Sequence, residues 1–295
     1  MFPAPFGYVR AESLDEALAV LAREGPGAKI LAGGQSLLPM MKLRIAEPAL
    51  LVDIHRLPAL TGWQETAEGL TLGAVVRHSQ LERAEALQEF YPLLGRTARW
   101  IADPLVRNRG TVAGSLAHAD PAGDWGAALL ALGASVTLRS LTRTRELPLD
   151  AFLVDIFTTA LEPDEVLTAI RIPKPAGRPF GTYLKLERKV GDFAVVGVAV
   201  NVVLDARHTV VEAGIGLAGV GPRALRAPAA EAALIGHPLE SGGIREAAAL
   251  AAEAADPVSD RRGSRAYKRN VVRVFVERGL KALADESRPE VGVTA

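Results

Sequence analysis

Short apolar runs, amphipathic charged stretches and glycine turns succeed one another along the first half of the chain, and their periods predict alternating strands and helices. Tyr8 to Arg10 has the pattern of a strand. Ser13-Leu14-Asp15-Glu16 is a capping box opening a helix that Gly25 ends. Lys29 to Leu31 is a second strand, Leu37 to Leu43 has helical spacing, and Leu50 to Ile54 is a third strand that completes a small α/β unit. Beyond it, Leu70 to Val75 is expected as a strand, Ser79-Gln80-Leu81-Glu82 as a second capping box, and Pro92 to Ile101 as a helix. Asp124 is expected to cap a helix over Trp125 to Leu132. Strands at Ser135 to Arg139, Arg143 to Leu147 and Val166 to Ile172 then predict an antiparallel sheet.

Pro173, Pro175 and Pro179 disfavour both helix and central strand, which marks a linker. After it come predicted strands at Phe180 to Leu186, Phe193 to Leu204 and Thr209 to Gly219. Alanine-rich helical patterns follow at Ala227 to Ile235 and Ile244 to Ala254, with a last long helix from Ser264 to about Leu283. Strands followed by helices predict a separate α+β domain. The polar tail from Asp285, with Pro289, is expected to fray. A chain of 295 residues that is 49% hydrophobic can bury two or three packed subdomains.

Two glycine stretches carry the candidate chemistry. Ala32-Gly33-Gly34-Gln35-Ser36 lies between a strand and a helical run, where glycines let backbone N–H groups approach an anion closely and Ser36 adds a hydroxyl. Thr111-Val112-Ala113-Gly114-Ser115 adds two hydroxyls around a Gly114 turn, shortly before Asp120-Pro121-Ala122-Gly123-Asp124. Either stretch alone is also compatible with a plain tight turn and an N-cap. Together they fit two clamps on one pyrophosphate, and a dinucleotide is the natural ligand.

Charge and cysteine content narrow the partners. Lys plus Arg and Asp plus Glu are both 34, giving a formal net charge of +0, whereas a nucleic-acid-binding domain would carry a basic excess. The chain has no cysteine, so it can hold neither an iron-sulfur cluster of its own nor a cysteinyl-flavin bond. The start lacks a charged segment followed by an apolar one, and no run of about 18 apolar residues follows. A cytoplasmic protein is expected, with no transmembrane segment and only peripheral membrane contact left open.

The segment Ala32 to Arg44, the segment Gly110 to Asp124, and Lys185 with Arg188 and Gly191-Asp192 closely resemble the FAD-binding medium subunit of the aerobic carbon monoxide dehydrogenases. These belong to the molybdenum hydroxylases, the xanthine dehydrogenase family. The resemblance runs in register from about Pro5 to about Leu283 and implies an α+β fold. Its two-part FAD-binding domain, of the vanillyl-alcohol-oxidase/PCMH type, would span 1–177, with a small α/β part at 1–56 and a larger α+β part at 57–177. A C-terminal domain like that of the carbon monoxide dehydrogenase flavoprotein, with a three-stranded antiparallel sheet and helices, would span 178–285. A flexible tail would occupy 286–295.

The same resemblance implies noncovalent FAD. Ala32, Gly33, Gly34, Gln35 and Ser36, with Thr111, Ala113, Gly114 and Ser115, would hold the pyrophosphate, and Asp124 would help fix the ADP half. Ile101 and Leu167 would pack beside the cofactor. Lys185 would lie near the flavin, and Asp192 near its reactive edge. A lysine there favours the anionic reduced cofactor and a carboxylate opposes it. Two departures from the family pattern bear on the site: Ala113 replaces a second glycine and is expected to weaken affinity somewhat, and Phe193 replaces a tyrosine common beside the ring. The implied function is electron transfer from [2Fe-2S] clusters on a small partner subunit, with a large molybdopterin subunit oxidising the substrate in a dimer of heterotrimers. A quinone, NAD or oxygen could each be the acceptor. A self-contained FAD-dependent reductase and a nucleotide-sensing FAD-binding module are the alternatives.

Three further patterns compete for attention. Gly214, Gly216 and Gly219 match the Rossmann glycine spacing, yet apolar residues alternate through them like one strand face and Gly221-Pro222 follows. His118, Asp120 and Asp124 could suggest a metal, but turn and capping roles suit them better. The basic run Arg261 to Arg269 begins a helix, where the macrodipole disfavours cations, so acidic neighbours or a partner subunit are expected.

Overall fold

The computed structural model describes residues 2–288. The first unit has β1 (Gly7–Arg10), α1 (Leu14–Glu24), β2 (Ala28–Leu31), α2 (Leu37–Lys42) and β3 (Leu50–Asp53). Its strands form a parallel sheet in the order β1-β3-β2. Ser13 caps α1 by accepting from the Glu16 N–H at 3.1 Å, and Gly25 ends it at φ 57°, a left-handed value that glycine adopts without steric cost. Leu18 and Leu21 of α1 and Val52 of β3 are buried together, each worth roughly 1.5–3 kcal/mol of removed apolar surface.

The second unit runs through β4 (Trp63–Glu65), β5 (Gly69–Gly73), α3 (His78–Glu82), α4 (Pro92–Ala98), α5 (Pro104–Arg107), α6 (Val112–His118) and α7 (Asp124–Ala131). It continues with β6 (Ser135–Arg139), β7 (Thr144–Pro148), α8 (Leu149–Phe152), β8 (Leu153–Asp155), β9 (Thr158–Thr159) and β10 (Val166–Pro173). Five strands form an antiparallel sheet in the order β4-β5-β10-β6-β7, and β8 pairs with β9. Residues of both units merge into one apolar core.

The third unit has β11 (Arg178–Leu186), β12 (Val196–Leu204), β13 (Val210–Ala218) and β14 (Leu225–Arg226) in sheet order, then α9 (Pro228–Ala232), α10 (Ser241–Ala254) and α11 (Arg265–Glu286). Every residue of β12 is buried, because α7 covers the sheet on one side and α11 on the other. That accounts for its unbroken apolar run. The expected three-stranded sheet thus has a short fourth strand, two residues long.

Gly214 and Gly216 are strand residues, and a Cβ on either would collide with the Ala131 or Ala127 carbonyl of α7. Their spacing serves close helix-on-strand packing rather than a phosphate turn. The linker shortens to residues 174–177, since Pro173 ends β10 and Pro179 lies in β11, an edge strand that tolerates proline.

Two expected caps are corrected. Arg77, not Ser79, precedes α3; its N–H donates to Gln80 Oε1 at 2.8 Å, while Ser79 is buried inside the helix. Gly123, not Asp124, is the cap of α7. Of the expected tail, Glu286 is still helical and forms a double ion pair with Arg96 at 2.6 and 2.9 Å, and residues 289–295 lie outside the described residues.

Candidate functional site

The first glycine loop leaves the carboxyl end of β2 and enters α2. Gly34 sits at φ 72°, where a side chain would be strained and a Cβ would press on Leu38 and Leu31. Gly33 is required for a different reason. A Cβ there would lie 2.7 Å from the Gly110 Cα and 3.0 Å from the Thr111 nitrogen, so the two glycine loops meet backbone to backbone. The Ser36 side chain makes no capping bond, and Gln35 Nε2 donates to the Gly33 carbonyl at 3.3 Å.

In the second loop Thr111 caps α6, its Oγ1 accepting from the Gly114 N–H at 3.1 Å, which leaves its own O–H free to donate. Gly114 therefore stands in the first turn of a helix instead of a free turn, and Ala113 is a buried residue of that helix. Helical dihedrals accommodate its Cβ without strain. Ser115 lies close to the Gly123 backbone, which connects this loop to Asp124.

Two residues without a sequence signal support the second loop from behind. His78 donates its backbone N–H to the Gly110 carbonyl at 3.1 Å, and its ring leaves no room for a Cβ on Gly110. Trp125 Nε1 donates to His78 Nδ1 at 2.9 Å, which requires an unprotonated Nδ1. Burial, with the nearby Arg107 charge, pushes His78 down to about 4.

Asp124 and Lys185, far apart in sequence, form one buried cluster. Asp124 Oδ2 accepts from Lys185 Nζ at 3.0 Å, and Oδ1 accepts from the Tyr183 hydroxyl at 2.7 Å. Burial raises Asp124 above the usual carboxylate range despite the opposing pull of Lys185 and Tyr183. Both carboxylate oxygens are engaged within the chain. Lys185 also donates to the Trp100 carbonyl at 3.0 Å.

The next two carbonyls are held as well, because Arg107 Nη1 donates to Ile101 O at 2.9 Å and Ala102 O at 3.2 Å while its Nε meets Glu82 at 2.9 Å. Two cations thereby fix three consecutive carbonyls, and Ala102 is kept at φ 42°, a left-handed value costly for alanine. Gly191, at φ 84°, packs on Ala102 and brings the loop of Asp192 and Phe193 to the same place. Asp192 Oδ1 accepts from the Phe193 N–H at 2.9 Å, and Phe193 is 48% exposed. Ile101 is half-buried, whereas Leu167 is buried on β10, which packs against α6. A cavity of about 410 Å³ flanks this segment, lined by Glu82, Arg83, Arg99, Pro104, Arg107 and Asn108.

Other candidates resolve locally. His118 packs at a tilt against Phe157 with ring centroids 5.1 Å apart, and Asp120 closes a turn by accepting from the Ala122 N–H. Among the described residues no group of three His, Asp or Glu side chains could hold a metal ion. In the basic run, Lys268 pairs with Asp260 at 2.7 Å and Arg265 with Asp256 at 3.5 Å. No helix among the described residues is long and apolar enough to cross a membrane.

Residues 4–175 match the FAD binding domain in molybdopterin dehydrogenase, and residues 181–283 match the CO dehydrogenase flavoprotein C-terminal domain. The chain is 39% identical over 289 residues to the 6-hydroxypseudooxynicotine dehydrogenase complex subunit alpha of Paenarthrobacter nicotinovorans, covering 98% of each. It is 39% identical to the carbon monoxide dehydrogenase medium chain of Hydrogenophaga pseudoflava, covering 96% of this chain and 98% of that one. A solved carbon monoxide dehydrogenase from Hydrogenophaga pseudoflava superimposes with a TM-score of 0.91 at 41% identity, over 96% of this chain and 98% of that chain. Quinoline 2-oxidoreductase from Pseudomonas putida 86 does so at 0.90 and 33%, over 97% and 99%. With its paired glycine loops and near full-length likeness, the chain belongs to the FAD-binding medium subunits of the molybdenum hydroxylases, oxidoreductases of the carbon monoxide dehydrogenase type.

Proposed function

We propose that this chain is the electron-transferring subunit of a carbon monoxide dehydrogenase-type molybdenum hydroxylase. It takes electrons from [2Fe-2S] clusters on a small partner subunit and passes them to an external acceptor, while a large molybdopterin subunit oxidises the substrate. The observation that carries this reading is the contact of Gly33 with Gly110 and Thr111, which joins two N–H-rich loops into one cradle beside the Lys185 cluster. The absence of cysteine supports it, since any iron-sulfur cluster must sit on a partner. A dimer of heterotrimers in the cytoplasm is the assembly that suits it.

Bound FAD supplies acceptance of electrons singly and their release in pairs. The loop backbones, 32–36 and 111–115, bind the pyrophosphate through neutral donors, so no cation is left buried and unpaired in the apo chain. Asp124 helps fix the ADP half and holds Lys185 in place, and Lys185 brings a positive charge to the flavin end. Ile101, Leu167 and Phe193 exclude water there, and Asp192 opposes the lysine charge at the exposed edge. Relatives of equal identity are named for 6-hydroxypseudooxynicotine and for carbon monoxide, which leaves substrate choice with the large subunit.

A self-contained FAD reductase would need its own acid and base in the third unit. The buried charged side chains there, Lys185, Glu231 and Lys268, are each engaged by an opposite charge, Asp124, Arg226 and Asp260, which disfavours it. In the complex, removing FAD is expected to leave substrate bleaching of the iron-sulfur bands intact and to stop delivery to the acceptor. The isolated chain, reduced with dithionite, should bleach yet turn over no carbon monoxide, purine or N-heterocycle with an artificial acceptor. Turnover by the isolated chain would replace this reading with the self-contained enzyme, and an apo chain that binds FAD without reversible bleaching would replace it with a nucleotide sensor.

A further inference from the structure

The Lys185 cluster holds one more acid than its donors satisfy. Glu187 Oε1 accepts from the Gly191 N–H at 3.3 Å, but Oε2 is shielded from water and has no hydrogen-bond partner among the described residues. Lys185 Nζ lies 3.6 Å from it, close enough for attraction and too far for a hydrogen bond, since its short contacts go to Asp124 and the Trp100 carbonyl. The cluster thus sets two carboxylates against one ammonium. The other buried polar atoms without partners, on Thr97, Thr137 and Asn201, belong to neutral side chains. A shielded carboxylate oxygen is costly to leave bare, and where a native site keeps one, a donor from outside the chain is the natural complement.

We propose that Glu187 accepts a hydrogen bond from the flavin half of bound FAD, through either the ring N–H or a ribityl hydroxyl. The inference rests on the FAD reading above and goes beyond it by naming a contact. Its placement follows from the backbone: both pyrophosphate loops belong to the first two units, whereas Glu187 directly follows β11 of the third. Gly191 ties Glu187 to the loop of Asp192 and Phe193, and the packing of Gly191 on Ala102 ties it to Ile101. Those are the positions assigned to the flavin ring, not to the adenosine.

The test is calorimetric titration of the full apo chain with FAD and, separately, with ADP. Glu187→Gln keeps the side-chain shape and removes the charge. It should weaken FAD by about tenfold, the scale of one charged hydrogen bond, and change ADP by less than about twofold. The apo thermal midpoint should hold, because Lys185 keeps Asp124, and the bound flavin should show a more positive midpoint potential. Equal losses for FAD and ADP, unchanged FAD affinity, or a collapse of apo stability would each overturn the inference. A wild-type chain that binds ADP and not FAD would bring down the FAD reading itself.

Discussion

Gly33 and Gly110 touch through bare backbone: a Cβ added at Gly33 would stand 2.7 Å from the Gly110 Cα. That contact joins two glycine loops more than seventy residues apart, the pair proposed to hold the pyrophosphate. Gly33→Val should therefore separate the loops and lower the flavin-to-protein absorbance ratio at least about tenfold, with far-ultraviolet dichroism retained. Gly243, whose Cβ would meet nothing within 4 Å in α10, is the control. Gly243→Ala should keep its flavin and gain roughly 0.5–1 kcal/mol in chemical denaturation. Gly219 would be a poor control, because it sits at φ 75° and donates to the Pro121 carbonyl beside the site.

With no cysteine to attach it, FAD should leave the protein intact on acid precipitation. The supernatant should carry the yellow colour and the pellet none. A yellow pellet after washing would show a covalent bond.

His78 gives the site a pH dependence whose sign follows from its depressed pKa. Between the ordinary value near 6.5 and about 4, the unfolded chain takes up a proton that the folded chain refuses. Stability is fully present above the upper value and is lost as pH falls through the window, by up to about 3 kcal/mol. Protonation would also place an N–H on Nδ1 against the Trp125 N–H, loosening Gly110. Urea midpoints across this range should show the slope in the wild type, and His78→Gln should flatten it.

Much of this architecture was legible in the chain because its signals are local. Ser13 with Glu16 and Gly25 after α1 act within a turn of themselves, and Gly34 turns the chain at its own position. The α6 helix was not legible: Gly114 and a span of seven residues resemble a turn, and Ala119, at φ 51°, ends it without the usual glycine. Asp124 looked like a cap because an acid at a helix start commonly is one, but Tyr183 and Lys185 claim both its oxygens from across the fold. Nor does a lone histidine or arginine announce that it braces a loop. The roles of His78 and Arg107 exist only once α3, α5 and α6 are packed.

Arg107 is expected to matter through geometry as well as charge. It grips Glu82 through Nε and the Ile101 and Ala102 carbonyls through Nη1, a spread of donors over two nitrogens that a single ammonium does not offer. Arg107→Lys should lose nearly as much FAD affinity as Arg107→Ala, by fluorescence titration. Full rescue by lysine would reduce its role to a simple ion pair with Glu82.

Lys185 and Asp124 should behave as one unit. Lys185→Met leaves a shielded carboxylate with only the Tyr183 hydroxyl, and removing one partner of such a pair typically costs about 3–5 kcal/mol. Adding Asp124→Asn to Lys185→Met should recover part of that loss, because a neutral amide can still accept from Tyr183 without a buried charge. Flavin retention should not recover with stability, since the double variant still lacks the ammonium that holds the Trp100 carbonyl and that is proposed to charge the flavin end. A double-mutant cycle on urea midpoints, run beside the flavin-to-protein ratio, separates the two effects. If retention returned together with stability, the pair would be a structural strut and the flavin-end role of Lys185 would fall.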